Sequence, residues 1–322
     1  MIDLVQRLLS GDKRAISRAI SLVEDDDASG WEIMKGIHPH SGRAHIIGVT
    51  GPPGVGKSTL VDALAGEYRK AGKTVGIVAI DPTSPFTGGA LLGDRIRMQR
   101  ASLDPGVFVR SLATRGKGGG VSAATGSTAK ILDASGKEVV IIETAGAGQS
   151  EVEIMRHAHS VIVTLAPGLG DDIQAIKAGI LEIADVFVVN KADLEGAART
   201  AKDLESALEL RSRGPWQPPV LLTVARDGRG VGELREELDE HLAYLKSGPG
   251  WSERQALAAL AEVQDIVARR LVREVGGSDS WEEAAPQVKA VAGREKDPYT
   301  AADELIQQYI RRIRSQDPAG RE

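Results

Sequence analysis

The stretch Gly51-Pro-Pro-Gly-Val-Gly56-Lys57-Ser58 stands between a run of strand-forming residues, 44–50, and a helical run that begins at Thr59. Strand, glycine-rich loop and helix in this order form the G-x-x-x-x-G-K-[ST] pattern of a phosphate-binding loop. The glycines let backbone N–H groups converge on a phosphate. The stretch therefore predicts a nucleotide site on an α/β fold.

The residue types of this loop predict how a nucleotide is held there. Lys57 is expected to reach the outer phosphates, and the Ser58 hydroxyl is expected to ligate Mg²⁺. The other positions predicted to contact the nucleotide are Gly51, Gly54, Val55, Gly56 and Thr59.

A second nucleotide motif, Asn190-Lys191-Ala192-Asp193, follows the predicted strand 185–190. In GTP-binding proteins the Asp of N-K-x-D accepts hydrogen bonds from guanine N1 and N2, the Lys stem packs on the base, and the Asn ties the two loops together. Adenine lacks this pair of donors, so the motif predicts selection of guanine. The segment Thr223-Val224-Ala225 is expected to offer a backbone N–H to guanine O6. The alternative, a polar helix cap, is disfavoured by the phosphate loop upstream.

Three carboxylates lie where a metal-bound nucleotide needs them. Glu143 follows the predicted strand 138–142 and is expected to hold Mg²⁺ or its water rather than to face solvent. Asp81 and Asp94 lie between the phosphate loop and Glu143, and a role near the metal is favoured over one as turn or capping acids. The predicted catalytic residues are Lys57, Asp94 and Glu143.

The composition narrows the classes of partner. The 322 residues carry a formal net charge of −5, which argues against general electrostatic binding to nucleic acid. There is no cysteine, so disulfides and thiolate metal sites are excluded, and a reducing cytoplasm is expected. The charged N-terminal residues are not expected to be a signal peptide, and no apolar run approaches the roughly 18 residues of a membrane span.

Strand and helix patterns alternate between residues 44 and 246, which predicts a mostly parallel sheet with helices on both faces. The Val/Ile-rich strand candidates are 44–50, 74–80, 107–111, 138–142, 160–165, 185–190 and 219–224. The helix candidates are 57–71, 171–183, 197–211 and 230–246.

Apolar residues at helical spacing flank this region on both sides. Residues 2–9 and 13–23 predict a helical hairpin with Asp12 as an N-cap. Residues 252–314 predict two amphipathic helices, the second capped by Thr300. These helices either cover an edge of the sheet or form an oligomer contact. The predicted domains are an N-terminal helical extension (1–40), a nucleotide domain (41–247) and a C-terminal helical arm (248–322).

Two further patterns leave their roles open. The first pattern is a locally basic stretch, which contains Arg95, Arg97, Arg100, Arg110, Arg115 and Lys117. Three roles fit it equally: a solvated face, an element that contacts phosphate, or a docking surface for an acidic partner. Two His-x-His pairs, His38/His40 and His157/His159, have a spacing that suits a metal on a strand. No convincing further ligand accompanies them, so a metal site is disfavoured.

Taken together, the motifs resemble those of the MeaB/ArgK GTPases, the chaperones of adenosylcobalamin-dependent methylmalonyl-CoA mutase. This family is also known as lysine/arginine/ornithine transport-system ATPases or kinases. The stretches that carry the resemblance are Gly51-Pro-Pro-Gly-Val-Gly-Lys-Ser-Thr59, Asp81-Pro-Thr-Ser-Pro-Phe-Thr-Gly-Gly89, Leu92-Gly-Asp-Arg95, Arg110-Ser-Leu-Ala-Thr-Arg-Gly116, Glu143-Thr-Ala-Gly-Ala-Gly-Gln-Ser-Glu151, Asn190-Lys-Ala-Asp193 and Asp297-Pro-Tyr-Thr300.

The resemblance implies a P-loop NTPase sheet of the SIMIBI type, GTP or GDP with Mg²⁺, and a C-terminal arm that makes a homodimer. It further implies that the Mg²⁺ ligands are Ser58, Asp81, Asp94 and Glu143. It also implies that residues 167–177 form a third switch that relays the nucleotide state to the mutase. Ras-like proteins carry a water-orienting Gln where this chain has Ala147, and Gln149 comes two residues later. Slow intrinsic hydrolysis is therefore expected.

Two functions remain open from the sequence. The first is a regulatory GTPase that gates cofactor loading and protection of a cobalamin mutase. The second is an ATP-dependent kinase or ATPase of a transport system. The guanine motif, and the absence of a kinase H-R-D signature, favour the first.

Overall fold

The structure is a computed structural model that describes residues 2–25, 28–81, 98–113, 124–146, 154–168, 180–209, 215–248, 250–276 and 285–316. Within these residues, seven parallel strands form one sheet in the order β3-β2-β4-β1-β5-β6-β7. The strands are β1 His45–Thr50, β2 Val75–Asp81, β3 Val107–Ala113, β4 Val139–Glu143, β5 Ser160–Leu165, β6 Val186–Val189 and β7 Val220–Leu222. The seven predicted strands are confirmed.

The strands in the middle of the sheet explain why the sequence shows continuous Val/Ile runs. Every residue of β4, β5 and β6 is buried. A parallel strand that is covered on both faces has no solvent side, so apolar residues do not alternate with polar ones.

Helices cover both faces of the sheet. In the described residues they are α1 Ile2–Leu9, α2 Lys13–Glu24, α3 Ala28–Ile37, α4 Lys57–Lys70, α5 Gln99–Leu103, α6 Thr125–Ala134, α7 Ile180–Ile183, α8 Ala197–Glu209, α9 Val231–Ser247, α10 Gly250–Gly276, α11 Ala285–Ala292 and α12 Pro298–Gln316. Apolar residues of α4, α5 and α9 pack on one face, and those of α1–α3, α6 and α8 pack on the other. No helix in these ranges is both long and apolar enough to cross a membrane.

The N-terminal helices share the core of the sheet. Leu8, Ile16 and Ile33 are fully buried in the same apolar cluster as the strand residues Val140 and Val163. Residues Met1–Arg254 form one compact unit, and Gln255–Glu322 form another.

Helix α3 is not predicted from the sequence, because an acidic run precedes it and two glycines interrupt its pattern. Gly30 is what lets it pack closely on α2: a Cβ there would lie 2.8 Å from the backbone oxygen of Leu22. A larger residue would push the two helices apart.

Two helix caps can be compared with the sequence. Asp12 is the N-cap of α2, because its carboxylate accepts the N–H groups of Arg14 and Ala15 at 2.8 and 3.1 Å. The expectation that Thr300 caps the last helix is wrong. The cap is Asp297, which accepts the N–H of Thr300 at 3.0 Å, and Pro298 occupies the first turn, where its missing N–H is not needed.

Candidate nucleotide-binding site

The predicted phosphate loop leaves the carboxyl end of β1 and enters α4 at Lys57, with Gly56 preceding the helix in a left-handed conformation at φ 95°. A Cβ on Gly56 would lie 2.6 Å from Asn190 Nδ2. Glycine is therefore required there both by the backbone conformation and by the close approach of the second nucleotide motif.

Three side chains come together beneath this loop. Lys57 is buried, and its Nζ donates to the backbone oxygens of Gly51 and Pro52 at 2.7 and 3.0 Å. Ser58 Oγ donates to Glu143 Oε1 at 2.7 Å. Glu143 ends β4, which neighbours β1, and it is only 6% exposed. The fold thus brings a lysine, a hydroxyl and a buried carboxylate to one point.

Asn190 joins the second motif to the phosphate loop. Its Nδ2 donates to the Val55 backbone oxygen at 2.9 Å. Its Oδ1 accepts from Thr223 Oγ1 and from the Ala225 N–H, both at 3.1 Å. One buried amide therefore fixes three loops at the carboxyl ends of β1, β6 and β7, as the N-K-x-D motif leads one to expect.

A pocket of about 240 Å³ opens between these loops. Lys191 lines it, and its Nζ donates to the Gly54 backbone oxygen at 2.7 Å. The Asp193 side chain is 31% exposed and lines the pocket. The full lining is Gly56, Thr59, Asn190, Lys191, Asp193, Leu194, Val224, Ala225 and Arg226. The sequence predicted all of these positions except Leu194 and Arg226, because those two belong to no motif.

Several predicted residues lie outside the described residues. They are Asp94, Gln149, residues 169–177 of the expected third switch, and Arg95, Arg97, Arg115 and Lys117 of the basic stretch. Asp81 is the last residue of β2, and only its backbone is described.

One member of the basic stretch has structural partners. The Arg110 guanidinium donates to Ser21 Oγ at 3.2 Å and pairs with Glu24. It therefore joins β3 to α2, and a docking role is not needed to explain it.

The histidine pairs do not form a metal cluster. Among the described residues, no group of three or more His, Asp or Glu side chains could hold a metal ion. His159 accepts the Ile46 N–H at 3.1 Å through Nδ1. Its ring packs against Trp251 with the two planes tilted by 46° and the centroids 4.7 Å apart. His38 and His40 lie exposed in a 3₁₀ turn, His38–His40.

A polar network that the sequence did not reveal lies at the opposite, amino edge of the sheet. His45 Nε2 lies 2.7 Å from Ser160 Oγ, which lies 2.8 Å from His241 Nδ1. His241 Nε2 lies 3.3 Å from Asp185 Oδ1, and Arg254 donates to both Asp185 oxygens. A carboxylate only accepts, so a neutral His241 donates from Nε2 to Asp185 and accepts at Nδ1 from Ser160 Oγ. Ser160 Oγ in turn accepts from His45 Nε2. We call these five residues the amino-edge network.

Burial shapes the titration of this region. Burial, followed by repulsion from His159, His241 and Lys246, lowers the pKa of His45 to about 3. Burial, followed by repulsion from Arg254, lowers the pKa of His159 to about 4. Burial alone would raise the pKa of Asp185, but hydrogen bonds from His241 and Arg254 outweigh it and lower that pKa. Ser160 and His241 are almost fully buried, so the arrangement is closed to a substrate.

Comparisons with known proteins agree with this geometry. The chain is 49% identical over 314 residues to a protein of Pyrococcus horikoshii that is named as a GTPase. The aligned region covers 96% of this chain and 98% of that protein. The chain is 35% identical over 314 residues to a Mycobacterium tuberculosis protein also named as a GTPase, covering 94% of each. The crystal structure of the LAO/AO transport system kinase matches with a TM-score of 0.71 and 24% identity, covering 96% of this chain and 97% of that one. That last likeness concerns the fold, and the predicted P-loop NTPase sheet is confirmed.

Residues 16–280 match the family model described as methylmalonyl Co-A mutase-associated GTPase MeaB. The match spans the sheet, the phosphate loop, the Asn190 motif and all of α10. The chain therefore belongs to the MeaB family of GTPases.

Proposed function

We propose that this GTPase binds GTP and GDP with Mg²⁺ in the pocket and phosphate loop described above, and that it acts as a chaperone of an adenosylcobalamin-dependent methylmalonyl-CoA mutase. The observation that carries the nucleotide assignment is the set of three hydrogen bonds made by the Asn190 side chain. They hold the phosphate loop beside a base-sized pocket whose wall includes Asp193.

Asp193 is the residue proposed to select guanine. Its carboxylate can only accept hydrogen bonds, and guanine presents two donors side by side on one edge. Adenine presents no such pair. The stem of Lys191, which lines the pocket, can offer apolar contact to the base.

Ser58 and Glu143 fit a Mg²⁺ ion. A hydroxyl and a carboxylate are oxygen ligands of the kind Mg²⁺ prefers, and a bound divalent cation compensates a carboxylate that is only 6% exposed. Bound Mg²⁺ neutralises charge on the phosphoryl group as it transfers. We propose Asp81 and Asp94 as further residues near the ion.

Lys57 is proposed to act on the outer phosphates. In this structure its ammonium group is held by two carbonyl oxygens of its own loop. Moving from neutral carbonyl oxygens to an anionic phosphate oxygen strengthens its hydrogen bonds. Lys57 thereby contributes charge stabilisation to hydrolysis, while Ala147 leaves the attacking water without the Ras-like glutamine.

The mutase role is supported by the family, whose description names methylmalonyl Co-A mutase. We propose that GTP hydrolysis gates loading and protection of the mutase's cofactor, that residues 167–177 relay the nucleotide state, and that the protein works as a cytoplasmic homodimer.

The nucleotide assignment is tested by titrating the protein with GDP and with ADP by calorimetry. GDP is expected to bind at least about 100-fold more tightly, because an adenine leaves Asp193 without its donors. Comparable affinities would reject guanine selection and favour the transport-system ATPase.

The mutase assignment is tested by mixing the protein with methylmalonyl-CoA mutase and measuring complex formation by size-exclusion chromatography. The complex is expected to depend on whether GDP or a non-hydrolysable GTP analogue is bound, and the mutase is expected to raise the GTPase rate. An unchanged rate and no complex with either nucleotide would reject the chaperone role.

A further inference from the structure

We infer that Arg226 is a base-contacting residue whose guanidinium covers a face of the bound guanine. This inference rests on the nucleotide site proposed above. Arg226 lines the base pocket together with Lys191 and Asp193, and it belongs to no nucleotide motif recognised in the sequence.

A tight turn places Arg226 at the pocket. The Val224 N–H donates to the Arg229 backbone oxygen and the Asp227 N–H to the Val224 oxygen, both at 3.0 Å. The base of the turn is held by the Ala225 N–H, which donates to Asn190. The backbone position of Arg226 is thus fixed relative to the guanine-recognition loop.

The Arg226 side chain is held by its edge. Its Nε donates to Asp227 Oδ1 at 2.9 Å and one terminal nitrogen donates to Asp227 Oδ2 at 3.4 Å. A carboxylate that accepts hydrogen bonds from one edge of a guanidinium leaves both flat faces of the guanidinium open for stacking. The side chain is 73% exposed, so little protein covers those faces.

The distance between Arg226 and Asp193 indicates that the stacking proposed for Arg226 does not interfere with recognition of the base edge by Asp193. The Arg226 guanidinium lies 3.8 Å from Asp193 Oδ2, which is longer than a hydrogen bond. The lone pairs of Asp193 therefore stay available to the N1 and N2 donors of guanine, and Arg226 does not compete for them. An ion pair this exposed contributes little by itself, so stacking is the larger effect expected of Arg226.

The test compares GDP with inosine diphosphate, which lacks only the N2 amino group that Asp193 reads. Arg226→Ala is expected to weaken binding of both about 3- to 10-fold, because stacking acts on the ring and not on its edge. Arg226→Lys is expected to restore little, because an ammonium group has no plane to stack. Arg229→Ala is the matched control: it lies in the same turn, is 66% exposed and does not line the pocket.

Three results would overturn the inference while leaving the guanine site intact. The first is GDP affinity of Arg226→Ala within twofold of the unmodified protein. The second is an equal loss in Arg229→Ala. The third is a loss confined to GDP, which would mean that Arg226 acts through Asp193. Failure of the site itself is distinguishable, because the unmodified protein would then bind ADP as well as GDP.

Discussion

Asp193 is the residue on which the choice of base depends in the proposed site. In Asp193→Asn, one acceptor becomes a donor that faces a donor of guanine, so GDP binding is expected to weaken by about 2–4 kcal/mol. Xanthosine diphosphate, which carries a carbonyl in place of the N2 amino group, is expected to gain affinity. Calorimetric titration of both nucleotides checks this. Unchanged GDP affinity in the variant would remove Asp193 from base recognition.

Glu143 carries the proposed link between the phosphate loop and Mg²⁺. Glu143→Gln keeps the size and an acceptor for Ser58 but removes the charge, so the Mg²⁺ concentration needed for half-maximal GTP hydrolysis is expected to rise about 10- to 100-fold. Circular dichroism should be unchanged.

Glu138→Gln is the control for Glu143, because Glu138 lies near the other end of the same strand and pairs with Lys73 at 2.8 Å. Its Mg²⁺ requirement should not change. A Mg²⁺ requirement that stays unchanged in Glu143→Gln would place the metal elsewhere.

Among the elements of the fold, the amino edges of β1 and β5 hold the titratable groups with the clearest effect on stability. His45 and His159 stay neutral in the fold, with pKa values of about 3 and about 4. In the unfolded chain a histidine takes up its proton near pH 6.5. The unfolded state therefore binds more protons as the pH falls below 6.5, and folding stability is lost between that pH and the folded pKa values.

The expected size is about 2 kcal/mol per histidine between pH 7.5 and 5, from 1.36 kcal/mol per pKa unit. His45→Gln retains an N–H donor for Ser160 but cannot titrate, so denaturant unfolding should show a shallower loss of stability over this range. His38→Gln, at an exposed histidine, should follow the unmodified protein. The same slope in all three proteins would mean that His45 does not titrate on unfolding.

The elements also show why part of this molecule could be predicted and part could not. The phosphate loop and the Asn190 motif are local in sequence, and the buried parallel strands are continuous Val/Ile runs. The amino-edge network joins residues far apart, such as His45 and Ser160, 115 positions away, and no local pattern marks it. Arg226 was missed for a related reason: its role depends on the shape of one turn and on a carboxylate, Asp193, that comes from another loop.

At the scale of the whole molecule, helix α10 carries a stripe of exposed apolar side chains. Leu257, Leu260, Val263, Val267 and Leu271 recur at helical spacing and are each about half exposed or more in the single chain. Exposing this much apolar surface of one helix to water is unfavourable. Two copies of the chain can remove it from water by packing the same stripe against each other. This stripe is therefore the surface through which we expect the homodimer to form, and the homodimer remains a prediction.

Light scattering of the full chain is expected to give twice the chain mass of 34.1 kDa. Leu260→Glu combined with Val267→Glu places charges within the stripe, so the dimer should dissociate to a single-chain mass at micromolar concentration. Gln255→Glu adds a charge on α10 outside the stripe and should leave the mass doubled. A single-chain mass for the unmodified protein would reject the homodimer. A doubled mass that survives both glutamates would mean that the dimer forms through another surface and that the stripe of α10 has a different partner.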